Sequence, residues 1–299
     1  MRKEVFLIQL LILALCTLGK GQPVTEPSFV LSTVERYYFP DEAPLHYLLA
    51  DQVSLRDAPS TQAKRMATLP IGTPMLILER GKILTRIKGI DAHWYRVQVK
   101  EKEGWIWGGL IAQQAFGSSS DPSLKFVAGL AKIEMDHPSG RRVPSYQIRA
   151  FRDNQEVARI EIASLTFSIG PAQNFGPKGI PGVQEVLAIH MPCGEGCGCL
   201  TGDFILFWDG SEFHNALQVT GTPDGAYSEG ATIIFPVDME GRPEQIIKIT
   251  SAPGEEYPEA DLGPEIERVL TTEYFRWDGK QVVPDSTPTK VERYRIPID

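Results

Sequence analysis

The chain has 299 residues, about twice the usual length of one domain, so its length predicts two domains. Its composition is 42% hydrophobic, 23% charged and 9% aromatic, which is typical of a soluble globular protein and argues against a disordered chain or a membrane-embedded bundle. The formal net charge of -8 argues against nucleic acid as the main partner, and four cysteines are too few for a disulfide scaffold.

Residues 1–21 have the pattern of a secretory signal peptide. Arg2 and Lys3 precede an apolar run from Val5 to Cys16, which as a helix would span about 18 Å and is too short for a bilayer core of about 30 Å. Small residues follow the run, so we expect cleavage near Gln22. An uncleaved anchor and lipidation of Cys16 remain alternatives. The expected location is periplasmic or extracellular, with anchoring to the envelope as an alternative, and we expect no transmembrane span once the signal is removed.

Charge is distributed unevenly along the rest of the chain. A polar, Pro-rich lead-in segment covers 22–45, and residues 46–114 then carry ten Lys or Arg against six Asp or Glu. From Asp121 to Asp299 the count is sixteen against twenty-seven. This contrast predicts two bodies with different surfaces, separated by a Gly/Ser linker at 115–123. The second body then covers 124–299.

Short alternating runs between turn signals predict a small β-barrel over 46–114. Val53 and Leu55 alternate with polar residues before Pro59, and Trp94 to Val99 alternates before a charged hairpin.

The residues of this region resemble the bacterial SH3 (SH3b-type) family. The resemblance rests on Val53-Ser54-Leu55-Arg56 with Ala58-Pro59, Leu69 and Gly72, Trp94-Tyr95-Arg96-Val97, and Gly104-Trp105-Ile106 with Gly109-Leu110. It covers about 65 residues, somewhat more than a fifth of the chain. The resemblance implies a small β-barrel that tethers or positions something at the cell envelope and has no chemistry of its own.

The large aromatic side chains of the barrel divide between core and surface. We expect Trp94 and Trp105 to fill the interior, with Trp107 facing the same way as Trp105 unless a bulge exposes it. The candidate ligand-binding residues are Tyr95, Trp107, Arg56 and Arg96, with Arg86 beside them. The alternative is an ordinary solvated face.

The sequence of the C-terminal region predicts a β-rich domain, either sandwich-like or a fragment of a propeller. Alternating runs recur from Tyr146 to Ile296, and only Ala260 to Leu270 has the pattern of a short helix. Two similar segments, Phe207 to Phe213 and Arg276 to Val282, each place an Asp-Gly turn between β runs, which predicts hairpins. Trp208 and Trp277 would either form an aromatic rim for a ligand or, the interpretation we favour, pack across their own hairpins.

One cysteine-rich segment could carry chemistry. Cys193, Cys197 and Cys199 lie within seven residues, just after His190 and Met191. Thiolates with imidazole suit Zn²⁺, and an added thioether suits Cu(I), but the spacing matches no closed zinc knuckle. In an exported protein a disulfide with one odd thiol is the simpler interpretation.

Motifs of common enzymes are missing from the sequence. A weak likeness of Gly202-Asp203-Phe204 to papain-like cell-wall peptidases fails, because no Asp-Cys-Ser-Gly nucleophile motif precedes it.

A group of loop carboxylates could form a Ca²⁺ site. These residues are Asp224, Glu229, Asp238 and Glu240.

The sequence as a whole predicts an exported, all-β binding protein that leans towards no enzymatic activity and needs no cofactor. The basic barrel would dock cell-wall peptide or glycan, or an envelope protein, and the second domain would bind another partner. The alternative is a cell-wall hydrolase, or a metal- or redox-binding protein, with its site at Cys193–Cys199.

Overall fold

The computed structural model describes residues 45–136, 140–164, 169–192, 200–258 and 263–298. The segment 1–21, the lead-in segment before Leu45, and all four cysteines lie outside the described residues. What is described is almost entirely antiparallel β-structure, as the sequence predicts. None of the described helices is long and apolar enough to span a membrane.

The first six strands form the barrel sheet, in the order β1-β4-β5-β6-β2-β3. They are β1 (His46–Tyr47), β2 (Val53–Arg56), β3 (Arg65–Leu69), β4 (Pro74–Ile87), β5 (Ile90–Val99) and β6 (Lys102–Trp107). A 3₁₀ turn at Gly108–Leu110 follows. Two residues with positive φ, Lys88 and Gly89, make the tight turn between β4 and β5, because such turns match the twist of the strands they join.

Three four- or five-stranded sheets follow, and each is built mainly from sequential neighbours. The second sheet has the order β10-β9-β8-β7 and contains β7 (Gln114–Gly117), β8 (Leu124–Asp136), β9 (Arg141–Arg152) and β10 (Gln155–Ala163). The third has the order β11-β12-β13-β14 and contains β11 (Ala172–Asn174), β12 (Glu185–Met191), β13 (Thr201–Trp208) and β14 (Phe213–Gly221).

The fourth sheet follows a 3₁₀ turn at Gly225–Tyr227. Its strands are β15 (Gly230–Ile234), β16 (Ile246–Tyr257), β17 (Glu265–Trp277), β18 (Val282–Pro284) and β19 (Lys290–Pro297). Strand β17 pairs with β16 on one side, and with β18 and β19 in turn on the other.

Two details differ from the sequence-based expectation. The short helix expected from Ala260 to Leu270 is wrong over its described part, because β17 begins at Glu265 and pairs with both neighbours. The expected linker at 115–123 is partly a strand, since β7 pairs with β8 from Gln114 to Gly117.

The largest hydrophobic core joins the barrel to the second and third sheets. It contains Trp94 and Trp107 from the barrel, Phe126 and Tyr146 from the second sheet, and Trp208 from the third. Another cluster packs Leu49 and Ile71 of the barrel region against Val127 and Phe151 of the second sheet. The barrel is therefore fixed to the C-terminal region by shared core rather than by a flexible connection.

The third sheet is the middle layer of the C-terminal region. Along β12, Leu187 and Ile189 belong to the core shared with the second sheet, whereas Val186 and Ala188 face a cluster that includes Ile246 of the fourth sheet. Because alternate residues of a strand point to opposite faces, both faces of this sheet are buried. That explains the nearly continuous apolar run of β12.

Candidate functional site

The basic residues expected to bind ligand lie on the outside of the barrel. Arg56 spans the β2–β3 hairpin by donating from Nη1 to the Ala63 carbonyl at 2.6 Å. The Arg96 side chain is 44% exposed and lies between Glu79 and Glu103, with N–O distances of 3.4 and 3.7 Å. Exposed ion pairs of this kind are weak, so Arg96 can exchange its partners for a ligand at low cost.

The aromatic residues expected to join that surface are buried instead. Tyr95 is 3% exposed and Trp107 is 5% exposed. Tyr95 lies in the barrel interior with Leu55 and Val97, while Trp107 faces the core shared with the C-terminal sheets. The expectation of exposed contact residues is corrected at both positions. Tyr95 faces the interior of the barrel itself, and Trp107 lies on the outer face of the barrel sheet, which other sheets cover.

The tryptophans expected to fill the barrel also lie on this covered face. Trp94 pairs with Trp107 across β5 and β6, and both belong to the large shared core. Their indole N–H groups converge on one residue, since Trp94 donates to Thr85 Oγ1 at 2.8 Å and Trp107 donates to the Thr85 carbonyl at 3.0 Å. Trp105 is partly buried against the same core, on the same face as Trp107, as the alternation predicts.

Strand β4 provides most of the apolar surface that the barrel exposes. Leu78, Ile83 and Leu84 are 39%, 51% and 45% exposed. Within the described part of the chain β1 pairs only with Pro74 and Met75, so no strand pairs with residues 76–87 on that side. On the other side β5 pairs with them, except at the irregular positions 78 and 81–83. An open strand edge of this kind can pair with an extended ligand.

Cations border this exposed strand. Arg86 forms a two-point ion pair with Asp91, at 2.7 and 2.6 Å, and its side chain remains 68% exposed. Arg86 and Arg96 therefore place two exposed guanidinium groups along the β4–β5 strand pair. We define the β4 surface as these exposed residues: Leu78, Ile83, Leu84, Arg86 and Arg96. Its chemistry suits a ligand that has carboxylate groups and an apolar part.

The two Asp-Gly hairpins do not form an exposed aromatic rim. Trp208 is fully buried and packs on Phe213 across its own hairpin, with ring centroids 4.9 Å apart. Trp277 packs instead on the other hairpin, with its ring 5.1 Å from the rings of both Phe207 and His214. The hairpins therefore hold the third and fourth sheets together.

The first of these hairpins also contains a compact group of possible metal ligands. Ligand atoms of Asp209, Glu212 and His214 lie within 4.8 Å of one another. The Asp209 carboxylate already bonds His214 Nε2 at 2.8 Å and accepts from the Ser211 and Glu212 backbone N–H groups. Burial alone would raise the pKa of Asp209, but these hydrogen bonds outweigh it and hold that pKa well below its usual range. These hydrogen bonds of Asp209 stabilise the Asp-Gly turn.

The cysteine-rich segment proposed as a disulfide or metal site lies outside the described residues, with Cys193, Cys197 and Cys199. Beside it, His190 and Asp203 are paired in the β12–β13 register, with Nδ1 and Oδ1 3.1 Å apart.

Of the acidic residues considered for Ca²⁺, Asp238 is engaged by Lys178 Nζ at 2.7 Å and by the Phe235 N–H at 2.8 Å.

A buried carboxylate that the sequence analysis did not identify ties the segment after β7 to the third sheet. Glu185 is fully buried at the start of β12 and accepts hydrogen bonds from Ser118, Ser119 and Ser120. The backbone N–H of Ser119 adds a further bond at 2.9 Å. Burial alone would raise the pKa of Glu185, but the serine hydrogen bonds, with one from Asn174, lower it overall. The three consecutive serines are the feature of the sequence that could have indicated a site for a buried carboxylate.

The fold and the exposed barrel strand define an all-β protein with a small barrel as its N-terminal module. Comparison with known families identifies that module, since residues 51–112 match the family described as "Bacterial SH3 domain". This agrees with the resemblance inferred from the sequence, and the C-terminal region has no family assignment. No curated protein and no solved structure matches the chain.

Proposed function

We propose that this chain is an exported, non-catalytic binding protein whose barrel docks peptide or glycan material of the cell envelope. The observation that carries the proposal is the bacterial SH3 domain at 51–112, because such domains suggest cell-wall binding in bacteria. In this proposal the C-terminal region binds a second partner.

The β4 surface supports this proposal through its chemistry. It combines aliphatic side chains, two arginines and an open strand edge on a barrel that is basic within an acidic chain. Cell-wall peptides offer carboxylates to the arginines and backbone groups to the edge. Glycan would use the same arginines through its hydroxyl groups.

The test is co-sedimentation of the mature chain, starting at Gln22, with purified peptidoglycan. We expect retention above that of an acidic control protein of equal net charge. The double variant Ile83→Ser with Arg96→Gln should reduce retention about tenfold, because it removes both kinds of contact. The matched control is Met239→Ser with Lys280→Gln, two exposed positions far along the chain. Retention no greater than that of the control protein would contradict the proposal.

Export is the second part of the proposal, and the apolar run behind Arg2 and Lys3 supports it. The intact mass of the protein recovered from the producing cell tests it. We expect a chain that begins near Gln22. A full-length chain retained in the cytoplasm would contradict export.

The alternative function places a hydrolase, metal or redox site at Cys193–Cys199. The His190–Asp203 pair favours it, because a carboxylate at Nδ1 is the arrangement that orients an imidazole for proton transfer or metal binding. Alkylation of protein prepared without reductant distinguishes the cases. One disulfide makes the mass about two units lighter and leaves one thiol to alkylate. Three reactive thiols with a metal adduct lost on denaturation would favour the alternative.

A further inference from the structure

A polar groove lies where the barrel meets the second sheet. Its volume is about 620 Å³, within the range of about 300–1,000 Å³ that is typical of ligand sites. One wall comes from the tip of the β4–β5 hairpin, and the rest comes from β8, β9 and β10. The residues that line it are Lys88, Ala131, Lys132, Ile133, Glu134, Gln147, Arg149, Arg159, Ile160 and Glu161.

The floor of the groove is held rigid by hydrogen bonds. Arg149 donates from Nε and Nη2 to the Gln147 side-chain oxygen at 2.8 and 2.6 Å, and from Nη1 to Glu156 at 2.5 Å. Gln147 in turn donates to the Leu130 carbonyl at 3.1 Å. A guanidinium engaged at all three nitrogens is a fixed element, so binding here loses little side-chain entropy at the floor.

Acidic residues accompany a central lysine. Lys132 Nζ lies 3.0 Å from Glu134 and 3.4 Å from Glu161, and these carboxylates are 63% and 48% exposed. Each carboxylate has two oxygens with several acceptor positions, so one ion pair leaves others for a ligand. Glu134 and Glu161 can therefore accept hydrogen bonds from peptide N–H groups or from an amine.

Two cations of the lining have spare binding capacity. Arg159 has a side chain that is 66% exposed, and its nearest carboxylate, that of Glu156, is 3.8 Å away and already bonded to Arg149. Lys88 is exposed at the hairpin tip, and within the described residues no ion pair engages its ammonium group. These cations come from two different sheets, Lys88 from the barrel and Arg159 from β10.

We propose that this groove binds a short peptide that carries at least two carboxylate groups. The carboxylates pair with Lys88 and Arg159, and the peptide N–H groups donate to Glu134 and Glu161. The inference rests on the proposed function, because it names the second partner that the C-terminal region binds.

Non-specific attraction does not account for such binding. The chain has a formal net charge of -8, so its overall field repels an anionic peptide and only local cations can hold one. Because the chain as a whole repels anions, a comparison of an anionic peptide with its neutral counterpart, together with single substitutions of the local cations, tests the groove.

The experiment is fluorescence anisotropy of the mature chain with a fluorescein-labelled peptide, Ala-Glu-Ala-Glu-Ala, and with its Gln counterpart. We expect the Glu peptide to bind and the Gln peptide to bind at least about tenfold more weakly. Lys88→Asn, which tolerates the positive φ of that turn, and Arg159→Gln should each weaken binding about fivefold. The matched control is Arg65→Gln, an exposed arginine of β3 that does not line the groove.

Equal binding of the two peptides, or an equal effect of Arg65→Gln, would overturn the groove proposal. The proposal would also be overturned if the mature chain, shown to be folded by its thermal denaturation, did not bind the Glu peptide. Co-sedimentation with peptidoglycan reports on the β4 surface separately. Loss of one binding activity with retention of the other therefore shows which proposal has failed.

Discussion

At the scale of single residues, the buried Glu185 is a polar group that connects two of the sheets. Its carboxylate is enclosed where the segment after β7 reaches β12, and three consecutive serines donate to it. A buried charge is tolerated only when hydrogen bonds replace its hydration. The residue thus fixes the β7–β8 loop of the second sheet against β12 of the third sheet.

We expect Glu185→Gln to destabilise the protein by about 2 kcal/mol, because the amide N–H₂ group faces donors and the charge-assisted bonds are lost. Urea denaturation of the mature chain measures this. Glu101→Gln, at an exposed position of the β5–β6 hairpin, is the control and should change stability by less than about 0.5 kcal/mol. Equal effects of the two substitutions would contradict a structural role for Glu185.

The lowered pKa of Glu185 makes stability depend on pH in a defined direction. A carboxylate with a folded-state pKa below its unfolded value stabilises the protein above the unfolded pKa, and this contribution is lost as the pH falls through the folded pKa. Between about pH 5 and pH 3 the wild-type protein should therefore lose more stability than Glu185→Gln. Parallel losses in the two proteins would show that other carboxylates account for the acid sensitivity.

Sequence reasoning at this scale placed the arginines correctly at the surface, where their role in binding stays a prediction, and placed the aromatics wrongly. Arg56 and Arg96 are on the surface because long cationic side chains keep their charge in water. Tyr95 and Trp107 were expected beside them but are buried. Alternation divides the residues of a strand between two faces, but it does not reveal which face lies inside the barrel, as for Tyr95, or whether another sheet covers the outer face, as for Trp107.

At the scale of elements, a glycine allows the barrel to approach the second sheet. Gly72 has a φ of +68°, and a Cβ atom there would lie 2.1 Å from the Phe151 ring. Nearby, Asn154 in the β9–β10 turn donates to the Ile71 carbonyl at 2.8 Å. The loop before β4 is thus held against the second sheet by packing and by a hydrogen bond.

We expect Gly72→Ala to destabilise the protein by about 2 kcal/mol more than Gly182→Ala. Gly182 has a φ of +78° and no neighbour within 4 Å of a Cβ atom, so both substitutions carry the same backbone strain but only one meets Phe151. Thermal denaturation of the two variants compares them. Equal melting temperatures would show that the loop moves away from Phe151 without loss.

Strand positions were predictable where alternation is clean, and less so elsewhere. The runs at Trp94–Val99 and Phe204–Trp208 lie within β5 and β13. Over its described part the expected helix at 260–270 was wrong, because Ile266, Arg268 and Leu270 alternate as a strand. Arg268 is buried and donates hydrogen bonds to the Ala226 and Ser228 carbonyls. A buried arginine held by a distant loop leaves no local signal in the sequence.

At the scale of the whole molecule, one core crosses the boundary between the barrel and the C-terminal region. Burial of Trp94 and Trp107 against the second and third sheets means that an isolated barrel would expose a large apolar face. The charge contrast along the chain predicted two bodies with different surfaces. Charge along a sequence carries no information on the apolar faces that are buried between such bodies.

We therefore expect the described body to unfold in a single cooperative transition. Calorimetry of the mature chain should give one peak, and Trp fluorescence and far-ultraviolet circular dichroism should give the same midpoint. Two separated transitions, the first involving the barrel, would contradict a continuous core.

The central claim, that the barrel carries the envelope-binding surface, is tested most directly by hydrogen exchange of the mature chain with and without solubilised peptidoglycan fragments. The account predicts slower exchange in residues 76–98, which cover the open edge of β4 and most of β5, while β15 to β19 remain unchanged. Protection confined to β12 and β13, beside His190 and Asp203, or no protection in any segment, would contradict it.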